Sequence, residues 1–380
     1  MTVSIPRCDD AVSLLRSLGS PSGTRASASS LANYAAVFAR DGVMAGLAGL
    51  ILHDASITSV LVRTLEHLRD LQGTEGQIAS NYAIRESGPS HVSFGTLVPR
   101  VDAALWYLIG IGLGARAGAV DPAPFADSVR RVVRLLNALE YNGRHLLYIP
   151  VGGNWADEYV YEGYVLHDQV LRAWALRLVG QVYDEPSWRE KSHDIERTIA
   201  SAFAPTDAGR PLPIAAYTPT RVYHNFDLAT CALLGASGVA PSLAGPALGW
   251  IDETYLAHGT LPPAFDPVID ERHPDWAALR RYQLHGFRNR PHEYHNGGVW
   301  PIWLGWLALA MAATGRAREL ARLQVAVAAQ LAAHPAFAFE EYFHGLTGVP
   351  SGTAQMAYSA TGLIFLRAAS DPRTLTLLAP

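Results

Sequence analysis

The chain has 380 residues, 49% hydrophobic and 17% charged, with 30 Lys and Arg against 34 Asp and Glu for a formal net charge of −4. That composition can fill a sizeable core, and with no basic run or aromatic-basic alternation it excludes the electrostatic footprint of a nucleic-acid binder. Two cysteines, Cys8 and Cys231, lie in no metal-ligand spacing, which excludes a disulfide framework and a structural zinc site.

Residues 1–10 hold one arginine followed by acidic residues and no apolar segment of signal-peptide type, so the expected location is cytoplasmic. Apolar residues then recur at three- and four-residue steps over 9–18, 30–52, 55–72, 100–118, 123–140, 161–182, 185–203, 225–236, 242–257, 296–314, 316–334 and 354–370, which predicts an all-α protein. Strand-type alternation is confined to Leu146–Pro150 and to 213–217. No apolar run reaches the roughly 18 residues of a membrane helix, so a membrane is not an expected partner. Short connections at 119–122 and 183–186 join helices in pairs, and longer segments with glycine and proline at 73–99, 204–224 and 258–295 separate the pairs. Six such hairpins can close into a toroid, with nearly all-apolar inner helices, amphipathic outer helices and long loops gathered at one end. An open solenoid is the rival, but no internal repeat is visible. No low-complexity linker divides residues 1–380, which are read as a single domain.

The most informative segment is Tyr294-His295-Asn296-Gly297-Gly298-Val299-Trp300-Pro301, which sets polar groups, a flexible glycine pair and an indole in one turn before an apolar helix. A sugar offers hydroxyls in every direction and a weakly apolar ring face, so it needs such fixed polar groups beside an aromatic wall. The bland reading is a helix start with Asn296 as N-cap. Two other loop ends have the same character, at Phe38-Ala39-Arg40-Asp41-Gly42 and Asn154-Trp155-Ala156-Asp157-Glu158-Tyr159.

Glycoside hydrolysis needs one carboxylic acid to protonate the leaving oxygen and one carboxylate to activate water or attack. Asp157, flanked by Trp155 and Tyr159, is the best candidate acid, because aromatic flanks exclude water; its plain alternative is a helix N-cap. A second acid is sought in Phe339-Glu340-Glu341-Tyr342-Phe343-His344, where either glutamate could face the cleft or both could be solvated charges at a helix end. Arg40, Asp41 and Asp102 are candidates for binding sugar hydroxyls, or simply an ion-paired helix entrance. His292 and His295 lack the spacing of a zinc helix, and no nucleophile elbow, phosphate loop or dinucleotide fingerprint is present, so neither metal nor cofactor is called for.

At these residues the chain resembles the (α/α)6-barrel glycosidases: most of all the alkaline and neutral invertases, then the amylo-α-1,6-glucosidases and trehalase-like α-glucosidases. Phe38 to Asp41 resembles their Phe-x-Arg-Asp, Val101 to Trp106 their Val-Asp-Ser-Gly-Leu-Trp, and Tyr294 to Pro301 their Tyr-His-Asn-Gly-Gly-x-Trp-Pro. The resemblance implies an (α/α)6 barrel, an inverting mechanism, Asp157 as general acid and Glu341 as base. It also sets His167 at a family glutamate with Asp168 beside it. Departures are Glu158-Tyr159 after the acid, where invertases carry a basic pair, and His344 in place of an acid after the base. The residues expected to hold the sugar are Phe38, Arg40, Asp41, Asp102, Trp155, Asp168, His295, Asn296, Trp300 and Glu340. The expected partner is a small carbohydrate, either a small α-glucoside or a sucrose-type disaccharide; self-association into a homo-oligomer is left open. A sugar epimerase or isomerase on the same toroid is the alternative, with His295, His292, His224 and His344 as proton-transfer groups.

Overall fold

Two kinds of helix alternate along the chain, one apolar on every side and one apolar along a stripe, and this difference sorts them into an inner and an outer layer. The computed structural model describes residues 4–29, 34–84, 90–95, 98–140, 143–207, 209–282 and 286–380. Its helices, in chain order, are α1 (Cys8–Leu18), α2 (Ala39–Leu52), α3 (Ala55–Asp70), α4 (Val101–Arg116), α5 (Ala126–Ala138), α6 (Leu166–Val182) and α7 (Pro186–Ala202), followed by α8 (Leu228–Ser237), α9 (Pro241–Thr254), α10 (Trp276–Leu279), α11 (Pro301–Ala313), α12 (Ala317–Ala333), α13 (Ala357–Ala368) and α14 (Pro372–Leu378). Helices α2, α4, α6, α8, α11 and α13 are buried over nearly their whole length. Each packs on the next, and α13 packs back on α2, closing a ring of six. Outer helices cover it, among them α3 on α2, α7 on α6, α9 on α8, α12 on α11 and α1 on α13.

The barrel is filled. Trp106 of α4, Trp174 of α6 and Trp306 of α11 meet at its centre, with ring centroids 5.7 to 6.4 Å apart. Each buried indole removes roughly 200 Å² from water, on the order of 5 kcal/mol of gross transfer free energy. Local signals set the helix starts: Asp54 accepts from the amides of Ser56 and Ile57 to begin α3, Asp227 accepts from Thr230 N to begin α8, and prolines occupy the first turns of α7, α9 and α11.

Short antiparallel pairs feed the inner helices at one end. Strand Val37–Phe38 pairs with Asn81–Ala83 and leads into α2, Tyr164–Val165 pairs with Ala216–Thr218 and leads into α6, and Phe226–Asp227 pairs with Phe265–Asp266 and leads into α8. A hairpin of Tyr342–Phe343 with Pro350–Ser351 precedes α13. These strands correct several helix starts, since 37–38 and 164–165 are extended, and Asn296 lies in a loop before α11 rather than in it. Residues 30–33 of the helix expected at 30–52 lie outside the described residues. Of the strand expected at Leu146–Pro150 only the Ile149–Gly163 bridge forms. The short α10 and α14 had no periodic signal. No helix among the described residues is long and apolar enough to cross a membrane.

Candidate active site

The end of the ring that carries the strands holds a cavity of about 190 Å³, lined in part by Phe38, Arg40, Asp41, Trp155, Asp157, His295, Trp300 and Glu341. Loops more than 300 residues apart in sequence therefore converge on one space, and three of their side chains are carboxylates.

Arg40 and Asp41 enter the cavity because α2 begins at Ala39, straight from the strand, which turns its first residues inward. Arg40 Nη1 donates to Asp102 at 2.8 Å, and its guanidinium lies 5.7 Å from the centre of the Tyr358 ring. Arg40 Nε and Asp41 Oδ1 are buried and paired with each other at 3.4 Å, with no closer hydrogen bond among the described residues. Burial pushes the Asp41 carboxyl up to about 6, against the pull of Arg40.

The loop before α6 presents Asp157. Trp155 stacks on one face of Phe265 at 5.5 Å and Tyr159 on the other at 4.1 Å, so both aromatic flanks turn into the core. Asp157 is left with its side chain 34% exposed and paired with Arg100 at 2.9 Å, which corrects the expectation of a water-excluded carboxyl between its neighbours. It caps no helix, since α6 starts only at Leu166. Gly152 is required beneath it: φ is 76°, and a β-carbon there would stand 2.8 Å from the Asp157 carbonyl.

Glu341 resolves the ambiguity of the glutamate pair, because it lines the cavity while Glu340 turns back to accept from the amide of Ala338. One Glu341 oxygen accepts from Tyr34 Oη at 2.8 Å and the other from Thr353 N at 2.8 Å. Burial raises its pKa; these hydrogen bonds and Arg288 oppose the rise. Gly352 makes the fit possible, since a β-carbon there would lie 2.6 Å from Glu341 Oε2.

Four residues expected on the sugar do not line the cavity. Asn296 spends its whole amide on backbone, accepting from Ile269 N and donating to the carbonyls of Ile269 and Asn289. Asn289 in turn donates to Glu158 O, so Asn296 steadies the Asp157 loop. Asp168 is fully buried and accepts from Asn154 Nδ2 at 2.9 Å, and burial lifts its pKa well above the usual range. Asp102 is 2% exposed and holds Arg40, and Glu340 is the fourth. Trp300 does line the cavity, with its indole N–H fixed on Tyr294 O at 2.9 Å.

Tyr34, Arg288, Tyr294, Met356 and Tyr358 also line the cavity and were not among the expected residues. Tyr294 stood inside the quoted motif. Arg288 stood in no motif. Arg288 grips Glu158 through Nη2 and Nε, reaches Tyr34 Oη at 3.4 Å and lies over the Tyr294 ring at 4.2 Å. Of the four histidines weighed for proton transfer, His295 lines the cavity and the others do not. It is held neutral by burial, with Arg288, Arg40 and Arg100 acting in the same direction.

A family model described as alkaline and neutral invertase matches residues 273–369, which is 97 of the 380 residues. No curated protein matches at the sequence level. Among solved structures, the GH63 mannosylglycerate hydrolase of Thermus thermophilus in complex with glucose superposes with a TM-score of 0.68 at 15% identity, over 95% of this chain and 99% of that one. A bacterial glucoamylase complexed with acarbose gives 0.68 at 14% identity, over 98% of this chain and 56% of that one. A rhamnosidase from Klebsiella oxytoca with rhamnose bound gives 0.64 at 12%, over 96% and 64%. With its closed ring of six inner helices, the chain is an (α/α)6 barrel that shares its fold with these enzymes, and its C-terminal portion matches the model of the alkaline and neutral invertases.

Proposed function

We propose that the protein is an inverting glycoside hydrolase of small glycosides, an α-glucoside or a sucrose-type disaccharide, with the whole chain acting as one catalytic unit. The observation that carries this reading is that Asp157 and Glu341 line one cavity together with Trp155 and Trp300. A neutral polyhydroxylated ring suits that lining, which offers donors from Arg40, an acceptor in Asp41 and indole faces for the ring carbons.

In the reaction, Asp157 gives its proton to the glycosidic oxygen as the bond to C1 breaks. Glu341 takes a proton from a water that adds to C1 from the opposite face. Inversion requires the two carboxyls to stand roughly 6.5–9.5 Å apart, leaving room for that water. Tyr34 and Thr353 N fix the base, and its burial favours a carboxylate basic enough to accept the proton. The test is proton NMR of the purified protein with sucrose and a panel of small α-glucosides, following the anomeric signals. Release of the inverted anomer supports the reading, and a retained anomer overturns the mechanism. Interconversion of a free sugar with no glycoside cleaved replaces the reading with an epimerase in which His295 is the base.

A further inference from the structure

Asp157 lines a second cavity as well, of about 550 Å³, on whose wall Arg100 also stands. Three arginines, Arg100, Arg221 and Arg281, face this space together with four acids, Asp157, Glu158, Glu162 and Asp275. Arg221 is matched by both oxygens of Asp275, and Glu158 is neutralised by Arg288. Arg281 has no ion pair among the described residues, and Glu162 is the remaining acid on the wall.

Arg100 poses the question that this cavity answers. Its Nη2 holds Asp157 at 2.9 Å, while its Nη1 is buried with no acceptor among the described residues. A β-carbon at position 152 would stand only 3.5 Å from Nη1, so the glycine keeps the space beside it open. On the hydrolase reading, on which this inference rests, Asp157 must carry a proton before it can give one up. In that state Arg100 loses its only anion among the described residues, and a partly buried guanidinium without a counter-charge is costly. With Asp157 protonated and Glu158 already matched by Arg288 from behind the wall, the remaining charges leave one positive charge in excess.

We propose that the second cavity receives the leaving group and that this group bears a carboxylate, which binds Arg100 Nη1, with Arg281 beside it, and so takes the place of Asp157 as the counter-ion. Asp157 then holds its proton until the glycosidic oxygen departs. The C1–O bond breaks, that proton goes to the leaving oxygen, and water supplies the new C1–O bond with its proton on Glu341. The leaving group departs as a hydroxy acid. The regenerated Asp157 carboxylate competes for Arg100 and helps to expel it.

The first test needs no turnover. Asp157→Asn mimics the protonated acid, so by calorimetry 4-hydroxybenzoate is expected to bind the variant about tenfold or more tighter than wild type. 4-Hydroxybenzamide is expected to bind both alike, and adding Arg100→Gln is expected to abolish the gain. Equal binding of the carboxylate and the amide by Asp157→Asn overturns the proposal. The second test compares 4-carboxyphenyl with 4-carbamoylphenyl glycosides of whichever sugar the panel identifies. Wild type is expected to favour the carboxylate in kcat/KM although it is the poorer leaving group, and Arg281→Gln to reduce that preference. Indifference to the charge overturns the proposal and leaves the hydrolase reading standing. If no glycoside is cleaved, the hydrolase reading falls and the titration alone decides whether the anion site exists.

Discussion

Tyr34→Phe isolates the base from everything else in the site. The phenol donates to Glu341 Oε1 at 2.8 Å, and one other donor, the Thr353 amide, serves the second oxygen. A hydrogen bond to a buried charged group contributes about 1.5–3 kcal/mol, and each 1.36 kcal/mol changes a protonation ratio about tenfold. Tyr34 stabilises the ionised form, so its loss adds to the effect of burial, which already raises the Glu341 pKa. The base must be ionised to work, so activity is lost as pH falls through that pKa. A higher pKa therefore carries the acid limb of kcat/KM toward higher pH. At a fixed pH well down that limb the variant is expected to be about tenfold or more below wild type. On the plateau, where both proteins are ionised, the deficit is expected to shrink to a few-fold. Carbon NMR of labelled glutamate carboxyls follows the same change without a substrate. An acid limb at the same pH in both proteins would refute either the role of Glu341 as base or the role of Tyr34 as its donor.

Asp157→Asn is expected to collapse kcat and to lower the melting temperature modestly, since Arg100 loses its counter-charge; full activity removes Asp157 from the mechanism. Arg288→Met leaves Glu158, only 11% exposed at its side chain, without its cation. Urea unfolding is expected to show a loss of about 2–3 kcal/mol, below the range for fully buried pairs because Arg288 is partly solvated; adding Glu158→Gln is expected to restore part of it, and an unchanged single variant contradicts the bridging role. Asp41 gives a stability profile. Its folded pKa of about 6 lies above the ordinary 3.8, so the unfolded chain ionises first and stability falls as pH rises from about 4 to 6. Asp41→Asn is expected to stabilise by up to ~3 kcal/mol above that window and by little below it, with weakened sugar binding, and thermal melts across pH check the sign.

The architecture was legible because the six inner helices are apolar on all sides and differ visibly from their amphipathic partners. What period could not give was the length of the strands before each helix, because residues such as Val37-Phe38 and Tyr164-Val165 are apolar in either conformation. The cavity residues legible in sequence were those in short motifs: Phe38, Arg40, Asp41, Trp155, Asp157, His295, Trp300 and Glu341. Asn296, within the most distinctive motif, turned out to brace a loop, since sequence pattern does not distinguish a polar side chain that meets a ligand from one that meets backbone. Tyr34 and Arg288 went unread because their meaning lies in partners at Glu341 and Glu158, hundreds or scores of residues away.

The packing of α13 against α1 and α2 has a consequence for how the protein is made. During synthesis, α1 and α2 emerge about 300 residues before the helix that covers them leaves the ribosome. Until then, their apolar faces must wait exposed or be held by a chaperone, a long-range closure of the kind that slows folding. Glu341 sits shortly before α13, so the proposed base and the last stave of the barrel are delivered together. A chain truncated before residue 340 would lack more than its chemistry: it would be an open arc with unpaired faces at both ends, prone to associate with its own copies.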